Sequence, residues 1–124
     1  LLQTLESYRM LDRVIVISFD FPTLKTIKEL NSAVLTGALA GKAYLSSVGA
    51  NGPAEVVRQI HASGADYVGI SHSYLSDTLY KGFREAGLGV GVWTVNTRED
   101  MRKYIDLGVD FITTDRPDLL RHCL

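Results

Sequence analysis

Short apolar runs rich in branched side chains alternate along this chain with longer stretches whose apolar residues recur every three or four positions. That is the rhythm of strands and amphipathic helices taken in turn. Leu1, Leu5, Tyr8 and Leu11 fall at helical spacing, so residues 1–11 are expected to form a helix, one with no capping residue ahead of it. Residues 14–19 form a β-branched run of the kind buried on both faces of a parallel sheet. Asp20 stands where it can cap the next helix, Pro22 suits its first turn, and Leu24, Ile27 and Leu30 are expected to make its apolar face before Asn31 stops it. Residues 34–39 read as the second strand, and residues 46–52 as a loop.

Pro53 then opens a helix with Val56, Val57 and Ile60 turned inward and Gly64 just past its end. Residues 67–70 are a short strand. Ser76 caps a third helix, which carries Leu79 and Phe83 and ends at Gly87 before a strand over 90–95. Thr97 and Asp100 have the spacing of a capping box for a fourth helix, with Met101, Tyr104 and Ile105 inward and Gly108 as its stop. Residues 111–114 make the last strand, and Pro117 opens a short terminal helix.

An internal repeat supports this order. Gly64-Ala65-Asp66-Tyr67-Val68, Gly87-Leu88-Gly89-Val90-Gly91 and Gly108-Val109-Asp110-Phe111-Ile112 each lead from a helix through glycine into a strand, with those glycines 23 and 21 residues apart. Glycine suits that place because the chain leaves the helix through a left-handed conformation. Five strands joined by helical crossovers make a parallel α/β architecture, either a doubly wound sheet or a β/α barrel. Periodicity reads the same in both.

With 124 residues, 46% of them hydrophobic and 22% charged, the chain can bury a core. It has about half the ~250 residues of a complete eight-fold barrel. The abrupt opening and that ratio together lead us to expect a fragment of a longer protein. Thirteen basic and 14 acidic residues are mixed along the whole length, for a net charge of −1, which argues against nucleic acid as a partner. Its apolar runs fall far short of the ~20 residues that cross a bilayer. The single cysteine, Cys123, excludes an internal disulfide and reads as incidental. Compartment is left open.

In parallel α/β folds ligands sit at the carboxyl ends of strands, which here carry Ser18-Phe19-Asp20, Leu39, Ser71-His72, Trp93-Thr94-Val95-Asn96 and Thr113-Thr114-Asp115. This set is polar and aromatic but poor in acids and bases. Trp93, the only tryptophan, is suited either to wall a pocket or to pack in the core. Phe19 alone reads as core. His72 follows a strand without a carboxylate beside it, and His61 and His122 read as solvated. Asp115 suits a ligand contact or a cap for the helix at Pro117. Asp66 and Asp110 recur at strand starts, the end that serves stability. Phosphate loops, dinucleotide fingerprints, zinc spacings and Gly-x-Ser-x-Gly elbows are all missing from the sequence. The glycines of 87–91 enter a strand where a dinucleotide loop would leave one.

Taken in order, Val16-Ile17-Ser18-Phe19-Asp20, Val92-Trp93-Thr94-Val95-Asn96 and the stretch 108–118 resemble the glycerophosphodiester phosphodiesterase family over nearly the whole chain. The resemblance tips the fold to a parallel β/α (TIM-type) barrel, of which residues 1–124 would be the C-terminal part. It implies a phosphoric diester hydrolase that cleaves glycerophosphodiesters to glycerol 3-phosphate and an alcohol, with Ca²⁺ or Mg²⁺ bound in the full-length parent. The family's His-Arg-Gly, His-Asp, Glu-x-Asp and Glu-x-Lys motifs do not occur here and belong to its N-terminal half. On that basis the segment alone is expected to be inactive and to bind no metal. By resemblance Trp93 and Phe19 carry over as walls of the substrate pocket, while Ser18, Thr94, Asn96 and Asp115 match motif positions as lining or structural residues. Two other readings are open: a non-catalytic half-barrel that associates with itself or a partner and binds phosphorylated polyols, or another barrel enzyme sharing only the βα rhythm.

Overall fold

A computed structural model of the chain describes residues 1–10 and 14–124. Helix α1 (Leu2–Ser7) precedes strand β1 (Ile15–Ser18), helix α2 (Phe21–Leu30) and strand β2 (Leu35–Ala40). Helix α3 (Lys42–Val48), a 3-10 turn (Gly49–Asn51) and helix α4 (Pro53–Ala62) lead to strand β3 (Tyr67–Ser71). Helix α5 (Asp77–Glu85), strand β4 (Gly89–Trp93), helix α6 (Arg98–Leu107), strand β5 (Phe111–Ile112) and helix α7 (Pro117–Cys123) complete it. The five strands are parallel and lie in the order β1-β2-β3-β4-β5. A doubly wound sheet reverses its strand order at a switch point. Strands laid down strictly in sequence order are instead the wall of a barrel.

One face of this wall is packed under helices. Ala38, Ala40, Val68, Ile70, Val90 and Val92 point that way and are buried against Leu24, Val56, Ile60, Phe83 and Met101. The other face alternates large and bare positions between neighbouring strands. Ile17 stands beside Gly37, Gly37 beside Tyr67, and Tyr67 beside Gly89, while Leu39 stands beside Gly69, Gly69 beside Gly91, and Gly91 beside Phe111. Each glycine is the seat of its neighbour. A Cβ would come 3.0 Å from Ile17 at Gly37, 3.0 Å from Leu39 at Gly69 and 3.1 Å from Phe111 at Gly91, and at Gly89 it would strike the Tyr67 ring.

The strand starts are tied by a repeated clamp. Asp66 Oδ2 accepts from the Thr36 N–H at 2.9 Å and pairs with Lys28 of α2 at 2.7 Å. Asp110 Oδ2 accepts from the Val90 N–H at 2.8 Å and pairs with Arg84 of α5 at 2.7 Å. In both cases an aspartate ahead of one strand accepts from the second residue's N–H of the strand before it and holds the helix that led into that strand. The structural reading of both aspartates is thereby explained.

Most expected boundaries agree with the structure. Ser76 Oγ accepts from the Leu79 N–H at 3.1 Å, Thr97 Oγ1 from the Asp100 N–H at 3.2 Å, and Gly64, Gly87 and Gly108 adopt φ of 75°, 80° and 90°. Four expectations change. Asp20 stands at the N-cap of α2, but its carboxylate caps no backbone N–H and accepts the Thr23 hydroxyl at 2.8 Å instead. Leu30 is 71% exposed, because a strict three-residue spacing drifts about 60° per step around a 3.6-residue helix and carries it off the stripe of Leu24 and Ile27. Residues 46–52 are helical over much of their length, since α3 runs through Val48 on Leu45, with Tyr44 and Val48 half-buried beside it. In the first helix, α1 ends at Ser7 and Tyr8 is 75% exposed; Leu11 lies outside the described residues.

Replacing Gly89 with Ala should destabilise the protein by about 1–3 kcal/mol through overpacking against Tyr67. Urea unfolding checks this, with the Gly89→Ala/Tyr67→Ala pair expected to lose less than the sum of the two single variants.

Candidate functional site

The carboxyl ends of the strands bring Phe19, Gly41 and Trp93 together. Trp93 ends β4 with its side chain on the inner face of the wall, and two glycines let it lie across the neighbouring strands. A Cβ on Gly69 would stand 3.6 Å from indole Cδ1 and 3.7 Å from Nε1, and one on Gly41 would stand 3.6 Å from Cη2. The indole thus reaches from β3 to the exit of β2. There it meets Phe19 edge-on, at 6.2 Å between centroids and 89° between planes. Phe19 leaves 62% of its surface exposed, so the aromatic pair is a rim feature, and the core reading of Phe19 does not hold.

Indole Nε1 is buried and has no hydrogen-bond partner among the described residues. A buried donor left unpaired costs about 1–3 kcal/mol.

Two open cavities of about 440 Å³ each meet at this indole. One runs down the inner face between Ile17, Tyr67, Phe111 and Thr113. The other sits on the rim between Phe19, Gly41, Lys42 and Tyr44. Leu39 and Trp93 line both. Burial first, and then Glu55, push the Tyr44 phenol above its ordinary value. The phenol therefore stays protonated and donates to Gln59 Oε1 at 2.9 Å. Glu55 itself is held at about 2, chiefly by its hydrogen bond from Arg58 and then by that from Gln59.

The other motif residues hold the rim in shape. Ser18 Oγ accepts from the Asp20 N–H at 2.9 Å, which closes the turn carrying Phe19. Asn96 Oδ1 accepts from the Asp115 N–H at 2.9 Å and from Thr114 Oγ1 at 3.2 Å, and its Nδ2 donates to Asp115 Oδ2 at 3.3 Å. Asn96 and Asp115 thus bind the loops after β4 and β5 to each other. The helix at Pro117 is preceded by Arg116 without a side-chain cap, so the capping role considered for Asp115 is not the one it plays. Thr94 follows a cis peptide at Trp93, is half-buried and lines neither of the two cavities at the indole.

His72 turns its carbonyl to the Tyr104 hydroxyl at 2.8 Å, with the two rings 6.0 Å apart, while His61 and His122 lie exposed on α4 and α7. Among the described residues no three of His, Cys, Asp and Glu gather as ligands for a metal ion. The described residues therefore do not fit a metal centre. What the arrangement offers is an aromatic wall, a shaped groove and one cation, Lys42. Sequence reasoning missed that lysine, whose only signal was its place directly after a strand.

A model of the Glycerophosphoryl diester phosphodiesterase family matches residues 2–119. A Bacillus subtilis protein named for glycerophosphodiester phosphodiesterase activity is 29% identical over 106 residues, 86% of this chain and 41% of its own. The glycerophosphodiester phosphodiesterase of Caldanaerobacter subterraneus is 27% identical over 97% of this chain and 46% of its own. Among solved structures, one from Agrobacterium tumefaciens superposes with a TM-score of 0.84 at 26% identity, covering 98% of this chain and 47% of its own. Another, from Galdieria sulphuraria, gives 0.79 at 28%, again over 98% and 47%; both carry that same activity in their names. The chain spans less than half the length of each of these relatives.

Proposed function

The chain belongs to the glycerophosphoryl diester phosphodiesterase family, and from that premise we propose that it is the pocket-wall portion of an enzyme that hydrolyses glycerophosphodiesters to glycerol 3-phosphate and an alcohol. The observation that carries the reading is the Trp93 indole laid over Gly69 and Gly41 with Phe19 at its edge. It is an apolar surface on the ligand-binding end of the wall, suited to the carbon face of a glycerol unit. Ser18 closes the turn that carries Phe19, Asn96 and Asp115 tie the loops after β4 and β5 together, and Thr94 is assigned a lining role from its motif position next to Trp93. The wall binds and orients one substituent of the phosphate and keeps water from that side. Activating the attacking water and protonating the leaving alkoxide need acid–base groups, which we assign to residues outside this chain. A Ca²⁺ or Mg²⁺ ion is assigned there as well, so the 124-residue segment alone is inactive in this proposal. Family membership removes the unrelated barrel enzyme from consideration.

The full-length protein is expected to release glycerol phosphate from glycerophosphocholine or glycerophosphoethanolamine with Ca²⁺ or Mg²⁺ present, and to stop when the metal is chelated. An enzyme-coupled assay for glycerol phosphate decides this, and no release under any of these conditions would sink the reading. Within that protein, Trp93→Ala should lower kcat/KM by about 10–100-fold, as expected for a lost apolar contact to the substrate, with only a small change in melting temperature. Equal losses of turnover and thermal stability would return Trp93 to a packing role.

A second reading is favoured by the inner face, where Ile17 is 60% and Phe111 43% exposed. A half-barrel in which two copies cover these faces and bind phosphorylated polyols without catalysis would hide that surface. Sedimentation of the 124-residue chain at micromolar concentration tests it. A discrete dimer supports pairing, and a monodisperse, cooperatively unfolding monomer overturns it.

A further inference from the structure

The pairing of β4 with β5 changes its count at Trp93. In a regular parallel ladder the N–H and C=O of one residue bond to the carbonyl before and the N–H after a single residue of the neighbouring strand. Thr113 instead donates to the Val92 carbonyl at 2.9 Å and accepts from the Val95 N–H at 2.8 Å. Trp93 and Thr94 therefore both lie opposite it, one residue more than a regular ladder holds, which is a β-bulge. Burial records the same extra residue. Val95 is fully buried in the core with Val90 and Val92, whereas Trp93 lines the inner groove, although residues two apart in an unbroken strand share a face. The chain thus puts the indole on the inner side and still seats Val95 under the helices.

The strand against which this bulge is set is lightly held by the sheet. β4 and β5 pair only at Gly91 with Phe111 and at Val92 with Ile112, whereas β3 and β4 pair from Tyr67 with Gly89 through Ser71 with Trp93. Past Thr113 the two loops are joined through Asn96. Its Oδ1 accepts from the Asp115 N–H at 2.9 Å and from the Thr114 hydroxyl at 3.2 Å, and its Nδ2 donates to Asp115 Oδ2 at 3.3 Å. Neither Asn96 nor Asp115 lines either cavity at the indole. A bulge beside a binding surface aims a side chain, and the aim is only as fixed as the segment opposite. Resting on the phosphodiesterase reading above, we propose that Asn96 is a positioning residue: by holding residues 113–115 alongside the bulge it sets the Trp93 indole across the wall, and it serves turnover through that ring without touching substrate.

The test is a mutant cycle in the full-length enzyme, read as glycerol phosphate release from glycerophosphoethanolamine. Asn96→Ala should lower kcat/KM by about 3–10-fold, the scale of lost hydrogen bonds at a partly exposed site. In a Trp93→Ala background the same change should have almost no further effect, because the ring it acts through is gone. If Asn96→Ala does not fold, Asn96→Asp carries the same cycle, since it keeps both accepted bonds and sets two carboxylates face to face. Exchanging the pair, Asn96→Asp with Asp115→Asn, keeps all three contacts, with the carboxylate at 96 accepting from the amide at 115, and should restore kcat/KM to within about twofold. A loss of equal size with and without the indole overturns the proposal, because Asn96 would then act on the substrate or on the fold at large. So does an exchanged pair as slow as Asn96→Asp alone, which would make the Asp115 carboxylate itself the functional group. A wild type that releases no glycerol phosphate sinks the phosphodiesterase reading, and this inference with it, before any variant is compared.

Discussion

On the inner face of this wall most large side chains stand beside a bare neighbour, since the strands on either side are only about 4.8 Å away. The bare neighbour is glycine. Ile17 and Tyr67 lie against Gly37 and Gly89, and Leu39 and Phe111 against Gly69 and Gly91. The candidate site is the topmost case of the same rule. Trp93 passes over Gly69 and Gly41, and Phe19 comes up to Gly41 from the other side. A methyl group on Gly69 would crowd Leu39 first, which lies beneath the same groove.

The opposite end of the wall is fixed by charge and backbone hydrogen bonding. Asp66 and Asp110 each hold an N–H near the start of a strand, on its second residue, and a cation of the helix that leads into that strand. Each side chain is about one-third exposed, so the ion pairs themselves are worth little, and the satisfied strand donors matter more. These clamps set the register of neighbouring βα units. Register in turn decides which inward residue meets which glycine, so the indole's position is inherited from contacts several residues below it.

Much of this was legible in the sequence, for identifiable reasons. Glycine at a helix exit, serine and threonine before a helix, and β-branched runs each act within a few residues, so Gly64, Gly87, Gly108, Ser76 and Thr97 announced their roles. The choice between barrel and doubly wound sheet did not show in periodicity, since strand order is a long-range property. Helix α3 escaped notice because Ser46, Ser47, Gly49, Asn51 and Gly52 hide the stripe of Tyr44, Leu45 and Val48. The inner-face glycines were hidden for another reason: their partners are one strand away, and a glycine in a strand looks like a weakness until its neighbour is known. Asn96 and Asp115 were visible as motif positions, but their bond to each other crosses nineteen residues. Lys42 gave little signal, because what marks it is its place on the rim cavity, which only the packing of β2 against Trp93 creates.

The fold keeps its two kinds of obligation at opposite poles of the strands. Clamps made by Asp66 and Asp110 lie at the entry of the strands, while Lys42 and Tyr44 lie on a segment that leaves β2 at its exit and touches neither clamp. An exchange of residues in that segment leaves register untouched. The mouth can therefore be retuned by substitution while the strand entries keep the sheet aligned.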